Sequence, residues 1–224
     1  MFTVIALKGY YLKHPNSIMK YLDIKSWNRK EHFKFFNQYE EPFFGITLEV
    51  DCTIAYQKAK ESGSSFFIYY LHKSLQAVNE IEAFRYRIDA QDKVVIHDTI
   101  NAATTINRPD GTFGFSYIDY DPSFEIFDAN AKIEIDRVQK SNELIPAPSD
   151  DVVFFSSIPW INFTSISHSR SFKMKDSVPK ISFGKYLVKD GKKMMPVSIH
   201  VNHALMDGFH VGQYAALFQE LLNN

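Results

Sequence analysis

The sequence predicts an α+β fold in which helices cover one mixed β-sheet, as a two-layer sandwich. Short runs that alternate apolar and polar residues indicate half-buried strands, and longer segments with apolar residues at helical spacing indicate amphipathic helices. The two kinds of segment do not alternate strictly along the chain. This irregular order favours a mixed sheet over the parallel sheet that a regular succession of strands and helices would give.

The N-terminal residues stand apart from this pattern. Residues 1–18 show neither a helical nor an alternating period, and Met19 opens a segment that reads as a second possible start. We therefore interpret residues 1–18 as an N-terminal extension and residues 19–224 as a single domain. No internal repeat and no linker rich in Pro, Gly or Ser interrupts that remainder.

The first half of the domain combines a long strand, two helices and several short strands. Residues 44–53, FGITLEVDCT, alternate and are rich in β-branched side chains, which predicts a strand. A helix is expected at 53–62, and residues 66–81 place apolar side chains at helical spacing. Short strands are predicted next, with a turn at Asp110 and Gly111, at 84–88, 93–97, 101–107 and 113–118.

The second half returns to helical spacing and then to strands. Residues 121–141 predict a helix, and Val211, Tyr214 and Phe218 share one face of a final helix that would pack on the sheet. Four more strands are predicted between these helices, at 152–157, 160–167, 180–188 and 196–203.

Charge and cysteine content exclude several classes of protein. The 25 basic and 26 acidic side chains give a formal charge of −1, so the chain lacks the basic field of a nucleic-acid binder. Cys52 is the only cysteine, which excludes an internal disulfide and a thiolate metal cluster and is typical of a cytoplasmic protein. No apolar run approaches the roughly 20 residues that span a bilayer, so no membrane is expected as a partner.

The strand that begins at Pro196 carries the first candidate for chemistry. Alternation puts His203 on the apolar face with Val201, where a partly desolvated imidazole stays neutral and can act as a base near pH 7. Asp207 follows at the spacing His-x-x-x-Asp-Gly and either supports the histidine or merely caps the last helix. A core histidine without chemistry remains an alternative. A shared metal is disfavoured, because alternation sends His200 and His203 to opposite faces.

The stretch VNHALMDGFHVGQY, at 201–214, resembles the signature of the chloramphenicol acetyltransferases. The pattern H-x-x-x-D-G is shared with dihydrolipoyl acyltransferases and carnitine acyltransferases, which use coenzyme A (CoA), and with peptide-synthetase condensation domains. The following FHV narrows the match to the chloramphenicol acetyltransferases. Three further similarities fall in the right order, at WNRKEHF (27–33), SSIPW (156–160) and FGKY (183–186). Together they run from about residue 20 to the C-terminus.

The resemblance implies a chloramphenicol acetyltransferase fold, a catalytic mechanism and an assembly. His203 would be the general base that takes the proton of the acceptor hydroxyl while that oxygen attacks the acetyl thioester, with no acyl-enzyme intermediate. Ser156 would hydrogen-bond the oxyanion, and Ser182 would assist through a water. Asp207 and Arg29 would pair to hold the histidine loop. The family is trimeric, with the active site at the subunit interface, and no tightly bound cofactor or metal is expected.

The resemblance also assigns residues to the two substrates. Lys185 and Tyr186 match positions that line the entrance for acetyl-CoA, the co-substrate. Among the acceptor-pocket positions, Phe113 matches a family phenylalanine, Phe36 stands where many members have a tyrosine, and His168 falls in a stretch that is usually apolar.

Two more departures lie outside those assigned positions. Ser65 stands where the family often has a lysine that contacts a phosphate, and Asn202 replaces the first histidine of a common His-His pair. Ser65 would remove that phosphate contact, whereas Asn202, like Phe36 and His168, is a change at the acceptor pocket. Pocket changes can redirect acceptor specificity, because each contact is worth roughly 1–3 kcal/mol.

Three other functions remain open at this point. The chain could be the catalytic core of a dihydrolipoyl acyltransferase, although such cores normally follow a lipoyl domain and a long linker. It could be a catalytically silent member of the fold that binds an apolar ligand, or an active acetyltransferase for another hydroxyl or amine acceptor. An assay of thiol release with chloramphenicol, with and without His203, separates these possibilities.

Overall fold

A mixed β-sheet with helices on one face is the centre of the structure. We describe it from a computed structural model, which covers residues 19–172 and 175–224. The proposed N-terminal extension, residues 1–18, lies outside the described residues. The described helices are α1 (Lys30–Phe36), α2 (Thr53–Glu61), α3 (Phe66–Glu80), α4 (Phe124–Gln139) and α5 (Gly208–Asn223).

The described strands form one large and one small sheet. They are β1 (Met19–Tyr21), β2 (Phe43–Asp51), β3 (Tyr86–Ile88), β4 (Val94–His97), β5 (Asn101–Asn107), β6 (Phe113–Ile118), β7 (Val152–Ile158), β8 (Lys180–Gly184), β9 (Leu187–Lys189) and β10 (Lys192–Asn202). The large sheet has the order β2-β10-β8-β7-β5-β6, with β9 also paired to β10, and the small sheet has the order β1-β4-β3. The pairs β5–β7 and β7–β8 are parallel and the other pairs of the large sheet are antiparallel, which confirms the predicted mixed sheet.

Helices α2, α3 and α5 cover one face of the large sheet, which we call the helix face. Val197, Ile199 and Val201 alternate along β10 and are fully buried in this core. Phe183 of β8 contacts both Tyr70 of α3, with ring centroids 4.6 Å apart, and an aromatic ring of α5. The alternation read from the sequence therefore gives the correct buried face.

The other face of the large sheet, which we call the second face, carries polar side chains. Ser156, Ser182, Ser198 and Thr47 lie in one row across neighbouring strands, because they are paired in register. Residues 159–172 cross part of this face. The predicted strand at 160–167 is wrong, since this segment packs over the sheet and does not join its hydrogen-bonded ladder.

Two other strand predictions need correction. Residues 82–85 form a single 3₁₀ turn, so the strand predicted at 84–88 begins only at Tyr86. The strand predicted at 180–188 is two strands, β8 and β9, and the next strand begins at Lys192 and not at Pro196. Asp190 and Gly191 have φ values of 49° and 78° and close a two-residue hairpin between β9 and β10. An Asp-Gly pair is a strong hairpin signal, so the sequence did contain the information.

Candidate active site

The turn between β10 and α5 positions His203. The side-chain Oδ1 of Asn202 accepts a hydrogen bond from the backbone N–H of Ala204 at 2.9 Å, and its backbone oxygen accepts from Leu205 and Met206 at 3.0 Å. The backbone N–H of His203 donates to the oxygen of Pro42 at 2.8 Å. Asn202, which the sequence singled out as a departure from the family, therefore organises this turn.

The ring of His203 has a defined tautomer when it is neutral. Its Nδ1 lies 3.1 Å from the backbone oxygen of Met206, and because a carbonyl oxygen only accepts, Nδ1 must carry the hydrogen. Nε2 then has a free lone pair. The ring is half-buried between Phe36, stacked at 3.9 Å, and Phe44, at 4.7 Å between centroids. This arrangement fixes an imidazole with a free nitrogen lone pair on an apolar support, which is the geometry that a general base requires.

Arg29 and Asp207 form an ion pair beside this turn. The Arg29 guanidinium, in a residue only 9% exposed, donates to the Asp207 carboxylate and lies 3.4 Å from the backbone oxygen of His203. Asp207 also caps α5 by accepting from the N–H of Phe209 at 3.0 Å. The structure thus brings Arg29, Asp207 and His203 together, and the two interpretations of Asp207, support and helix cap, both hold geometrically.

His210 is a neighbour of Asp207 to which the sequence analysis gave no role. Its Nδ1 lies 2.9 Å from the Asp207 carboxylate, one turn into the helix that Asp207 caps. Burial opposes ionisation of Asp207, but the hydrogen bond from His210 and the charge of Arg29 outweigh it and lower the pKa of Asp207 to about 2. The three-residue spacing from the N-cap was the signal that could have indicated this contact.

Ser156 and Ser182 lie on the second face, away from His203. They are paired with each other, and Ser182 is paired with Ser198 of β10. Ser182 is fully buried, and its hydroxyl has no hydrogen-bond partner among residues 19–172 and 175–224. Five residues along β10 and two strand spacings separate His203 from Ser156, roughly 19 Å, and the odd residue spacing directs them to opposite faces. The two side chains cannot meet within one chain.

The residues assigned to the acceptor pocket are also dispersed. Phe36 stacks on His203, but Phe113 lies on β6, at the far edge of the sheet from β2, and is 47% exposed. His168, in the crossing segment, contacts His200 edge-on, with ring centroids 4.7 Å apart. Burial, followed by the nearby charges of His200 and Lys180, lowers the pKa of His168 to about 4, so its ring is neutral at pH 7.

A buried charged cluster next to His168 was missed from the sequence. Lys180 is 7% exposed, and its ammonium donates to Asp176 at 2.5 Å and lies 4.3 Å from the centre of the Phe43 ring. The guanidinium of Arg170 lies 3.9 Å from the same ring and forms an ion pair with Glu41. Lys180 is the only charged residue in the run VPKISF, at 178–183, and this lysine in a predicted strand was the available signal. A charge in a buried strand requires a partner.

A glycine of β2 leaves space for the ring of His200, the neighbour of His168. Gly45 pairs with His200, and a Cβ at position 45 would lie 2.4 Å from the His200 ring. Any other residue would therefore displace the imidazole. The backbone of β2 lies close under the ring only because position 45 has no side chain.

Lys185 and Tyr186 follow the end of β8. Lys185 is exposed, and its backbone N–H donates to the oxygen of Ile161 at 2.8 Å. The Tyr186 ring packs edge-on against Tyr56 and Phe66, with centroids 5.5 and 6.2 Å apart. A partly exposed aromatic ring and an exposed lysine next to it in the sequence are residue types suited to a nucleotide.

Cys52 has no role as a nucleophile in this structure. It is fully buried, and burial raises the pKa of its thiol to about 12, so the thiolate is not populated at neutral pH. Within the described residues, no group of three His, Cys, Asp or Glu side chains is arranged to hold a metal ion. The same residues contain no helix long and apolar enough to cross a membrane.

Comparison with known proteins agrees with the motifs at this site. A sequence model of the family described as chloramphenicol acetyltransferase matches residues 18–219. The chain is 27% identical over 205 residues to chloramphenicol acetyltransferase 3 of Escherichia coli, which covers 90% of this chain and 96% of that protein. It is also 27% identical to a chloramphenicol acetyltransferase of Staphylococcus aureus, over 90% of this chain and 97% of that one.

Solved structures give the same relationship. A chloramphenicol acetyltransferase superposes with a TM-score of 0.86 and 32% identity, over 92% of this chain and all of that chain. A truncated catalytic core of the 2-oxoacid dehydrogenase complex from Thermoplasma acidophilum has a TM-score of 0.63 at 16% identity, over 88% of this chain and 95% of that chain, and shares the fold alone. The chain belongs to the chloramphenicol acetyltransferase family.

Proposed function

We propose that this chain transfers the acetyl group of acetyl-CoA to a hydroxyl of chloramphenicol, with His203 as the general base. The observation that carries the proposal is the tautomer of His203. Because Nδ1 donates to the backbone oxygen of Met206, Nε2 of the neutral ring has a free lone pair for the acceptor proton. The family relationship supplies the reaction.

The proposed reaction is a direct acetyl transfer with no covalent enzyme intermediate. Nε2 of His203 takes the hydroxyl proton while the acceptor oxygen forms a bond to the thioester carbon. The resulting oxyanion accepts a hydrogen bond from Ser156, and Ser182 orders a water beside it. The C–S bond then breaks, the imidazolium returns the proton to sulfur, and the products are the acetyl ester and free CoA. The pair of Arg29 and Asp207 holds the turn in place and transfers no proton.

We propose further that the active site forms between subunits of a homotrimer. His203 and Ser156 of one chain lie roughly 19 Å apart on opposite faces of the sheet. A base and an oxyanion donor must both reach the same tetrahedral centre, so Ser156 and Ser182 have to come from a neighbouring chain. Phe113 and His168 would then face the acceptor from that neighbour. The sedimentation of the purified protein tests the trimer directly.

Acetylation of a different hydroxyl or amine acceptor is the second candidate. The observation that favours it is the charged cluster next to His168, in which buried Lys180 and half-buried Arg170 both lie beside Asp176, because chloramphenicol carries no net charge. A polar group on the acceptor can hydrogen-bond to these charged side chains, whereas an apolar ring beside them would leave them without a partner.

Release of the CoA thiol is the measurement that tests these proposals. Purified protein is given acetyl-CoA and chloramphenicol, and His203→Ala is compared with His32→Ala, a histidine exposed on α1. We expect His203→Ala to lower kcat roughly 10²- to 10⁴-fold and His32→Ala to leave it unchanged. Release with other acceptors alone would favour the second candidate, and release with none would favour a silent binding protein.

A further inference from the structure

The peptide group between Met206 and Asp207 lies between two imidazole rings. Its carbonyl oxygen is 3.1 Å from Nδ1 of His203, and its nitrogen is 3.2 Å from Nδ1 of His210. The carbonyl and the N–H of a trans peptide point in opposite directions in one plane. A contact at the N–H end therefore helps to fix the direction of the carbonyl, and the carbonyl holds the ring of His203.

The ring of His210 also contacts the carboxylate of Asp207. Nδ1 of His210 is 2.9 Å from Oδ1, which accepts from the N–H of Phe209 as well, while Oδ2 accepts from Arg29. A carboxylate only accepts and a peptide N–H only donates, so Nδ1 can bond to one of the two at a time. With its hydrogen on Nδ1 the ring holds the carboxylate, and with its hydrogen on Nε2 it holds the peptide N–H. Both states attach the ring to Asp207.

The contact with His210 acts strongly on Asp207. Burial opposes ionisation of this carboxyl, and the hydrogen bond from His210 is the largest single contribution that lowers its pKa, ahead of the charge of Arg29. The carboxylate is thus held from two sides, with a different oxygen bound to each donor. Arg29 in turn lies 3.4 Å from the backbone oxygen of His203, so the turn and these side chains form one connected network.

A cavity of about 570 Å³ opens beside His210. Among the residues that line it are Trp27, Arg29, Glu82, Asp207, His210 and Gln213. On another side the ring of His210 meets the ring of Phe209 edge-on, with centroids 5.7 Å apart, and Phe209 is itself 70% exposed. Core packing therefore does not enclose the half-buried ring of His210 on these sides, and its polar contacts with Asp207 decide its position.

We propose that His210 is a positioning residue, which orients His203 through the Met206–Asp207 peptide group and the Asp207 carboxylate. The inference rests on the proposed function, because it takes His203 as the general base. His210 touches no substrate and transfers no proton in this role. It keeps the oxygen of Met206 on Nδ1 of His203, so that the lone pair of Nε2 stays directed at the acceptor hydroxyl.

Thiol release by variants of His210 tests the proposal. His210→Leu removes both polar contacts, whereas His210→Asn keeps a donor and an acceptor close to the position of Nδ1. His210→Ala leaves a space that is open to the cavity, which free imidazole can enter. Gln213→Leu is the matched control, since Gln213 lies almost one turn further along α5 and lines the same cavity.

We expect His210→Leu and His210→Ala to lower kcat about tenfold or more and to leave the KM of both substrates unchanged, because only the position of the base is disturbed. His210→Asn should retain most of kcat. Imidazole should raise kcat in His210→Ala and not in His210→Leu, whose side chain fills the space. The control should match the wild type.

The ¹⁵N NMR signals of His203 give a second reading that needs no turnover. In the wild type the neutral ring should carry its hydrogen on Nδ1, and in His210→Leu both tautomers should be populated. Unchanged kcat in His210→Leu would overturn the proposal, as would a loss of kcat that neither asparagine nor imidazole restores.

Failure of the proposed function is a separate result. If His203→Ala released thiol as fast as the wild type does, His203 would not be the base. The tautomer of His203 in His210→Leu would still decide whether His210 orients the ring.

Discussion

The turn that holds His203 and the second face that holds Ser156 differ in how their polar groups are satisfied. At the turn, the side chains of Asn202, Arg29 and Asp207 bond to other parts of the same chain, and Nδ1 of His203 is fixed by a backbone oxygen; of these groups only Nε of Arg29 has no partner among the described residues. On the second face, the buried hydroxyl of Ser182 and Nε2 of His168 have no hydrogen-bond partner among the described residues. The His203 ring is therefore fixed within one chain, while the second face offers polar groups that a substrate, a water or another chain can satisfy.

The largest expected effect tests whether the two regions act between chains. His203→Ala and Ser156→Ala should each reduce activity strongly, Ser156→Ala by about 10²- to 10³-fold. If each site takes His203 from one chain and Ser156 from its neighbour, co-expression of the two variants in equal amounts leaves both residues intact in about one quarter of the sites. Activity should then return to about one quarter of the wild-type value, measured by thiol release.

A matched pair controls that experiment. Co-expression of His203→Ala with Asp207→Asn should give no more activity than the sum of the two alone, because both residues belong to the same turn of one chain. Lack of any recovery with the first pair, in oligomers shown to be mixed, would contradict a site built between subunits.

Asp207→Asn tests whether the turn that holds His203 depends on its contacts within the same chain. The amide can still cap α5, but the nearly buried guanidinium of Arg29 loses its counter-charge, and a displaced turn can cost about 10²-fold in kcat. Asp136→Asn on α4, where Asp136 pairs with exposed Lys140 at 2.7 Å, should change neither kcat nor stability measurably.

Acid titration gives the same test without mutation. The pKa of Asp207 is lowered to about 2, so its folded-state carboxylate stabilises the protein above the unfolded pKa near 3.8. That contribution, about 1 kcal/mol after allowance for solvent screening, is lost as the pH falls from about 4 through 2. The free energy of unfolding of the wild type should therefore fall more steeply with pH in this window than that of Asp207→Asn. Equal slopes would contradict the assignment.

On the second face, removal of one charge should cost more than removal of its partner. Asp176→Asn leaves Lys180 buried without a counter-charge and should lower the free energy of unfolding by about 3 kcal/mol. Lys180→Met replaces a buried ammonium with an apolar group of similar length, and its effect should be small. Urea unfolding measures both, and equal losses would show that the pair itself is stabilising.

The last expected effect is a pH dependence that involves His168. Its pKa is lowered to about 4, below that of an unfolded histidine near 6.5, so the unfolded state binds more protons between these values. Stability should decrease as the pH falls through this range, and His168→Leu should make the decrease shallower. His200, whose pKa burial and Lys180 also lower, keeps part of the dependence. An unchanged dependence of Tm on pH in His168→Leu would contradict this assignment.

Much of the fold could be read from local patterns. The strands at 101–107 and 113–118 and the helix from Phe66 were predicted almost to the residue, because alternation and helical spacing report which side chains face the core. The strand predicted at 160–167 does not form, since short apolar runs suit a strand and a segment that packs over a sheet equally well. Whether such a run joins a ladder or packs over one depends on distant residues.

Sequence alone determined the family motif, the mixed two-layer fold and the apolar face behind His203, because these depend on neighbouring residues and fixed periods. Only the tertiary structure decided that His203 and Ser156 lie on opposite faces and that Lys180 is buried against Asp176. The physical reason is register. The pairing of strands far apart in the chain is set by the packing of the whole core, and no local stretch of sequence contains that information.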